Sequence, residues 1–259
     1  ARAFYNCEKL SEVKLSAGWT TVLDRSMNSS TYYSDSSNQY TSPFDGCSSL
    51  TKVTIPEGIK AIPKHAFRYL TTLKEVVLSE GVTSIGGYAF DGCTGLAEFE
   101  LPENLTDIGS YAFNECIGLT SITIPSQIQS INGHVFRGCT GLSKVNLPEG
   151  LTTIYAYAFE KCTSLVSIDL PDSITTMAAR AFYNCEKLSE VKLSAGWTTV
   201  LDRSMNSSTY YSDSSNQYTS PFDGCSSLTK VTIPEGIKAI PKHAFRYLTT
   251  LKEVVLSEG

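Results

Sequence analysis

Apolar residues recur along this chain with a period of 23 residues. Aligned on phenylalanine, the unit reads F-x-x-C-x-x-L-x-x-[IV]-x-L-P-x-x-[LI]-x-x-I-x-x-x-A. Helical burial would repeat every three or four residues, and strand burial every second residue. A longer period predicts a solenoid, in which each unit forms one coil. The phenylalanines that begin the units are Phe4, Phe44, Phe67, Phe90, Phe113, Phe136, Phe159, Phe182, Phe222 and Phe245.

Each unit contains a short strand that ends at a proline. In residues 119–125, Ile122 and Ile124 alternate with polar residues, as in a strand with one buried face. Pro125 ends the strand because proline has no N–H to donate to a strand ladder. Stacked units would pair these strands in parallel, and the stretch 151–154 would return along the opposite face. The pattern predicts a β-rich solenoid of about ten coils, with little helix.

Two insertions interrupt the units. Seventeen extra residues lie within 24–43 and again within 202–221, and their Ser, Asn, Asp and Tyr content is typical of loops. Tyrosine among serine and asparagine combines rigid contact area with adaptable hydrogen bonding, as in antibody binding loops. A loop without a partner is an equally good interpretation. The candidate ligand-binding residues are Tyr32, Tyr33, Tyr40, Tyr210, Tyr211 and Tyr218.

A second, longer repeat overlies the first. Residues 1–81 and 179–259 are identical at every position, an offset of 178 residues. We interpret residues 1–259 as a single solenoid of about one and a half cassettes, each of seven units. The duplication is either a natural tandem array or an engineered one. Since the sequence starts and stops within a unit, we expect it to be part of a longer array.

Composition excludes several classes of protein. The chain is 41% hydrophobic and 18% charged, with a net charge of −5 and interspersed signs. Nucleic-acid binding would need a basic stripe, and no apolar run approaches the length of a membrane span. Nucleophile–base pairs and phosphate-binding loops are missing, so we predict no enzyme activity and no cofactor. The sequons at Asn28, Asn104 and Asn206 matter only in a eukaryotic secretory route.

All eight cysteines occupy one slot of the unit, which holds Leu70 and Leu248 in the two remaining units. A slot that accepts either residue is a small apolar core position. Stacked cysteines would have parallel Cβ directions, which does not suit a disulfide. No cysteine pair or nearby histidine has the spacing of a zinc site. We therefore predict free, buried thiols and no metal.

A further slot, two residues before each phenylalanine, holds flat or long side chains. We favour a partly exposed stacked ladder, and the alternative is a shallow strip that stacks on sugar rings or peptide side chains. The candidates are His65, Tyr88, Tyr111, His134 and Tyr157, with Arg180 and His243 in the same slot. The outward strand positions, such as Glu12, Lys52 and Glu75, carry mixed charge and no aromatic anchor. Because binding surfaces are enriched in such anchors, we favour a solvated face there.

The L-x-x-I-x-L-P strand and the I-x-x-x-A-F-x-x-C-x-x-L corner, as in Ile108–Leu119, resemble a class of leucine-rich repeats. This is the bacterial surface-antigen class, BspA-like and Treponema pallidum-type. The resemblance implies a curved, right-handed solenoid of parallel strands, located extracellularly or at the cell surface. It also implies binding rather than catalysis, and it transfers no specific binding residues.

Two functions remain open at this point. The first is an adhesion scaffold whose repeated Tyr/Ser loop binds a protein or glycan on a host or neighbouring cell. The second is a structural spacer or a self-assembling fibre or surface-layer repeat, favoured by the identical segments and by end-to-end association of exposed strand edges. Neither involves nucleic acid or membrane insertion of this segment.

Overall fold

The computed structural model describes residues 4–17, 19, 42–201 and 219–257. In these ranges all regular elements are short β-strands, and no helix occurs. The strands are β1 (Glu12–Lys14), β2 (Lys52–Ile55), β3 (Ala61–Ile62), β4 (Glu75–Leu78), β5 (Ser84–Ile85), β6 (Asp107–Ile108), β7 (Ser121–Thr123), β8 (Ser130–Ile131), β9 (Lys144–Asn146), β10 (Thr153–Ile154), β11 (Ser167–Asp169), β12 (Thr176–Ala178), β13 (Glu190–Lys192), β14 (Thr199–Leu201), β15 (Lys230–Ile233) and β16 (Glu253–Leu256).

The strands form two faces of one stack of coils, and every pairing is parallel. The front face contains the proline-terminated strands, ordered β1-β2-β4, β7-β9 and β11-β13-β15-β16. The back face contains the returning strands, ordered β3-β5-β6 and β8-β10-β12-β14. Pairs such as Val53↔Val76 join equivalent positions of successive units. The predicted parallel-strand solenoid is therefore confirmed.

The coil count differs slightly from the prediction. The structure contains about eight turns of about 23 residues, where the sequence suggested about ten. The unit that begins at Phe4 runs into residues 20–41, which lie outside the described part. One front strand is also replaced by irregular chain at residues 97–101. There Phe99 packs edge-on against Phe90 and Phe113, with ring centroids 4.9 Å apart in both pairs. The equivalent position in the other units holds a smaller Val or Ile.

The core is built from identical residues on successive coils. The phenylalanine rings from Phe4 to Phe222 stack with neighbouring centroids 5.0–5.6 Å apart and nearly parallel planes. From Phe44 to Phe222 these rings have no exposed surface. Each ring thus buries both faces against neighbouring coils, and the core runs the length of the stack.

The cysteines line this core as free thiols, as predicted. Cys93 Sγ donates to Phe67 O in the preceding coil at 3.0 Å, and Cys116 repeats the contact with Phe90 O at 3.1 Å. Burial raises the pKa of these thiols, to about 12 for Cys139. Cys7 differs because its side chain is exposed. Buried, protonated thiols of this kind are poor nucleophiles.

The two identical segments show that a coil is buried by its successor. Ile62 and Val76 are 1% and 8% exposed, whereas their copies Ile240 and Val254 are 45% and 50% exposed. The local sequences are the same, and only the following coil differs. Neighbour contacts therefore supply most of the burial in this fold.

Candidate functional site

The second insertion leaves the solenoid at one corner of the coil, between the back strand and the core phenylalanine. Strand β14 ends at Leu201, and the chain is described again from Thr219, three residues before Phe222. In an uninterrupted unit, Ile154 at the end of β10 lies only five residues before Phe159. The six candidate tyrosines themselves, Tyr32, Tyr33, Tyr40, Tyr210, Tyr211 and Tyr218, lie outside the described residues.

The end of each insertion is anchored by a buried serine. Ser220 Oγ donates to Ala244 O in the next coil at 2.5 Å and accepts the Phe222 N–H at 3.1 Å. Ser42 makes the same two contacts, to Ala66 O at 2.7 Å and from the Phe44 N–H at 3.1 Å. The residues that follow each insertion are thus fixed to the rod by the same geometry.

The aromatic strip, which comprises His65, Tyr88, Tyr111, His134 and Tyr157, forms the predicted stacked ladder. Successive ring centroids lie 5.0, 4.6, 4.3 and 4.9 Å apart, with planes within 16° of parallel. All five residues have φ between 59° and 62°, a left-handed conformation that turns the chain at the corner. The tyrosine backbone N–H groups are hydrogen-bonded to the following coil, for example Tyr88 N–H donates to Ser110 O at 3.2 Å.

Stacking determines what the strip can offer to a ligand. The faces of the inner rings contact one another, so these faces are not open to a ligand. Stacking on sugar rings would need open ring faces, so the geometry favours the packing interpretation. Binding of a ligand by the strip stays a prediction. Ser42 and Ser220 occupy the strip's slot in their own units, so the structure brings the strip and the insertion anchors onto one edge.

A polar ladder that sequence reasoning missed lies beside the strip. Its members, each directly after a core phenylalanine, are Arg68, Asp91, Asn114, Arg137 and Glu160. The contacts run from coil to coil: Arg68 Nε to Asp91 Oδ2 at 2.7 Å, Asn114 Nδ2 to Asp91 Oδ1 at 2.6 Å, Arg137 Nη1 to Asn114 Oδ1 at 3.2 Å and Arg137 Nε to Glu160 Oε2 at 2.9 Å.

The middle of this ladder is removed from water. Asp91, Asn114 and Glu160 are 2%, 7% and 8% exposed. Buried carboxylates are tolerated when each is paired and hydrogen-bonded, as these are. A shift of one coil against its neighbour would break these ion pairs and hydrogen bonds, so the ladder also helps to hold the register of the coils. The signal in the sequence was the order Arg, Asp, Asn, Arg, Glu at one slot.

His134 is the titratable member of the strip. It stacks between Tyr111 and Tyr157, its Nδ1 is buried without a hydrogen bond from the described residues, and Glu160 Oε2 lies 3.9 Å away. Burial, with the nearby Arg137 charge, lowers the pKa of His134 from 6.5 to about 4. The folded protein therefore holds this imidazole neutral at physiological pH.

We predict that this histidine makes the solenoid acid-sensitive. Below pH 6.5 the unfolded chain protonates His134 while the folded chain does not, so the free energy of unfolding should fall as pH drops from 6.5 towards 4. The loss should reach about 3 kcal/mol. Urea denaturation across this range measures it, with His134→Tyr as the control because tyrosine fills the same slot in neighbouring coils. Equal pH slopes for wild type and variant would contradict the prediction.

The front face behaves as a solvated sheet over much of its length. The predicted row of outward residues is in register, with Glu12 paired to Lys52 and Lys52 to Glu75. Lys52 Nζ lies 2.7 Å from Glu75 Oε1, and Lys230 Nζ lies 3.7 Å from Glu190 Oε2. These exposed pairs are worth little individually. Opposite charges on neighbouring coils nevertheless help to set their register.

The described residues contain no group of three or more His, Cys, Asp or Glu side chains that could hold a metal ion. No helix long and apolar enough to span a bilayer occurs in them either.

Comparison with known sequences decides the family. The sequence matches the BspA type leucine-rich repeat region over residues 37–155, 106–215 and 203–259. The chain belongs to this BspA-type leucine-rich repeat family. No curated protein sequence matches it significantly. The strand–corner unit seen in the sequence is thus the repeat of this family, whose members are repeat scaffolds.

A solved structure of a leucine-rich repeat protein shares the fold. A leucine-rich repeat protein from Bacteroides ovatus is 25% identical with a TM-score of 0.59, over 84% of this chain and 63% of that one. A T. pallidum leucine-rich repeat protein is 26% identical with a TM-score of 0.44, over 74% and 70%. A leucine-rich cell surface protein from Faecalibacterium prausnitzii is 20% identical with a TM-score of 0.39, over 99% and 79%. The chain spans less than two thirds of the length of the B. ovatus protein.

Proposed function

We propose that this BspA-type chain is an extracellular binding scaffold whose two insertions contact a protein or glycan on a host or neighbouring cell. The observation that carries the proposal is the identical anchoring of the two insertions where each rejoins the solenoid. Both end at a buried serine, Ser42 or Ser220, which is hydrogen-bonded to the next coil. Loops held on a rigid scaffold are where binding residues concentrate, and the rest of the unit is occupied by packing.

The spacing of the insertions supports bivalent attachment. They recur after seven coils, which corresponds to about 34 Å at the strand spacing of about 4.8 Å. Two identical loops at a fixed separation would raise the effective concentration of the second contact once the first has formed. Individually weak tyrosine contacts would then give useful attachment to a surface that carries many copies of the ligand.

We predict that the tyrosines of the insertions are needed for attachment. Replacing Tyr32, Tyr33, Tyr40, Tyr210, Tyr211 and Tyr218 with serine keeps both loop lengths and removes the aromatic contact area. Binding of the fluorescently labelled chain to cultured epithelial cells, measured by flow cytometry, should weaken at least tenfold, since hot-spot residues each carry about 2 kcal/mol or more.

The matched control alters the strip instead. Tyr111→Phe keeps the stacked ring and removes its hydroxyl, and it should leave attachment unchanged. Unchanged attachment by the six-serine variant would overturn the loop proposal. Loss of attachment in Tyr111→Phe alone would move the binding site to the aromatic strip.

The second candidate function is a structural spacer, favoured by the identity of residues 1–81 and 179–259. A spacer needs a regular rod and no ligand. An intact chain that binds no cells or glycans but associates end to end with rising concentration, in sedimentation velocity, would favour this function.

A further inference from the structure

The front face is broken between two coils that remain joined at the back. Strands β9 and β11 belong to successive coils but are not hydrogen-bonded to each other, and front pairing resumes only at β11. The back strands of the same coils are paired, with Thr153↔Thr176 and Ile154↔Met177. A cleft of about 480 Å³ occupies the opening. We call it the front cleft, and it is unrelated to the edge that carries the insertions.

Main-chain groups are left open at this break. In the flanking coils, Ser189 N–H donates to Val166 O and Ser143 N–H donates to Thr120 O, both at 2.9 Å. The equivalent bond from Val166 N–H to Ser143 O is not formed. Backbone donors and acceptors of a strand that lack a partner are strong hydrogen-bonding groups.

The floor of the cleft is apolar. Val145 and Leu147 are only partly buried, whereas the equivalent Ile168 and Leu170 in the next coil are both 2% exposed. The opening therefore uncovers core side chains of one coil. These apolar side chains lie at the base of a cleft whose remaining lining is mostly polar.

The rim of the cleft carries separated charges. Lys144 lies at the start of β9, at one end of the cleft. Glu149 and Asp172 follow the ends of β9 and β11, at the other end. Asp169 and Lys192, the last residues of β11 and β13, also line the cleft. Elsewhere on this face Lys52 and Lys230 form ion pairs with neighbouring strands. Among the described residues, Lys144, Asp169 and Lys192 have no ion-pair partner.

We propose that the front cleft binds an extended peptide with an acidic residue at the Lys144 end, an apolar side chain over Val145 and a basic residue at the Glu149–Asp172 end. A peptide fits because its main chain can bond the open strand groups while alternate side chains enter the cleft. Lys144 and Glu149 are five residues apart in the chain, so their backbones lie at most about 17 Å apart, a span that an extended peptide of five residues can bridge. A neutral glycan would leave both charged ends of the cleft without a partner.

The test uses three end-blocked synthetic peptides and the intact chain. They are Asp-Thr-Val-Thr-Lys, Asp-Thr-Val-Thr-Asp and Lys-Thr-Val-Thr-Lys, each titrated to millimolar concentration while amide shifts are followed by NMR. The mixed-charge peptide should bind at least fivefold more tightly than either like-charged peptide. Its shifts should be confined to residues 143–149, 166–172 and 192.

A charge-altered chain provides the second arm. Lys144→Glu with Lys192→Glu makes the rim uniformly acidic, so Lys-Thr-Val-Thr-Lys should become the tightest ligand, with unchanged circular dichroism confirming the fold. Equal affinity for the three peptides, shifts elsewhere on the chain, or no shifts would overturn the proposal. Binding of a linear oligosaccharide such as maltoheptaose in the cleft, without peptide binding, would also overturn it and assign the cleft to glycans.

Discussion

Phe67→Ala should lower the free energy of unfolding by about 3–5 kcal/mol, the usual loss when a buried phenylalanine is truncated. The ring has no exposed surface and stacks between Phe44 at 5.6 Å and Phe90 at 5.3 Å. Truncation therefore removes ring contacts to the coils on both sides and leaves a cavity in the stack. Urea denaturation followed by circular dichroism measures the loss.

A conservative variant separates cavity formation from loss of aromatic stacking. Phe67→Leu keeps much of the side-chain volume and should be less damaging than Phe67→Ala. A loss below about 1 kcal/mol for Phe67→Ala would mean that the stack relaxes around the gap, contrary to the close packing of protein interiors.

Asp91→Ala should destabilise the chain by about 3 kcal/mol, because removing one partner of a buried charge pair leaves the other unpaired. Asp91 is 2% exposed and accepts hydrogen bonds from Arg68 at 2.7 Å and Asn114 at 2.6 Å. Both donors lose their acceptor in the variant. Thermal and urea denaturation of the purified chain check this expectation.

Two controls test the interpretation of Asp91→Ala: a variant of an exposed ion pair, and a double variant that removes both charges of the buried pair. Glu75→Ala removes a partner from the exposed Lys52–Glu75 pair and should have little effect. The double variant Arg68→Met with Asp91→Ala should recover part of the loss, because no charge is left without a partner. Similar losses for Asp91→Ala and Glu75→Ala would contradict a buried, coupled ladder.

Periodicity predicted the fold because each slot of the unit has one structural role. The phenylalanine slot became the ring stack, the cysteine slot a row of buried thiols, and Pro56 and Pro234 follow directly after β2 and β15. Register followed as well, since equivalent residues pair across successive coils. Such features depend on local sequence and on the identity of the neighbouring unit, and both can be read from an alignment of the units.

Other features depend on how two particular coils fit together. The polar ladder could be recognised only in the folded structure, where Asp91 lies between Arg68 of the preceding coil and Asn114 of the following coil. The irregular chain around Phe99 arises because a large ring in a strand slot packs against two others. The front cleft lies where β9 and β11 are not hydrogen-bonded to each other, a feature that the 23-residue pattern does not encode. The insertions were recognised as departures from the pattern, but the hydrogen bonds of their anchoring serines could be seen only in the folded structure.

Each coil of this solenoid is stabilised by contacts with its neighbours. The duplicated segments test this directly, because Phe67 and Phe245 have identical local sequences while Phe67 is fully buried and Phe245 only partly. Urea denaturation of Phe67→Ala and Phe245→Ala should give losses that differ by at least about 2 kcal/mol, with the larger at Phe67. Equal losses at the two positions would show that stability resides within the unit, and would contradict the account.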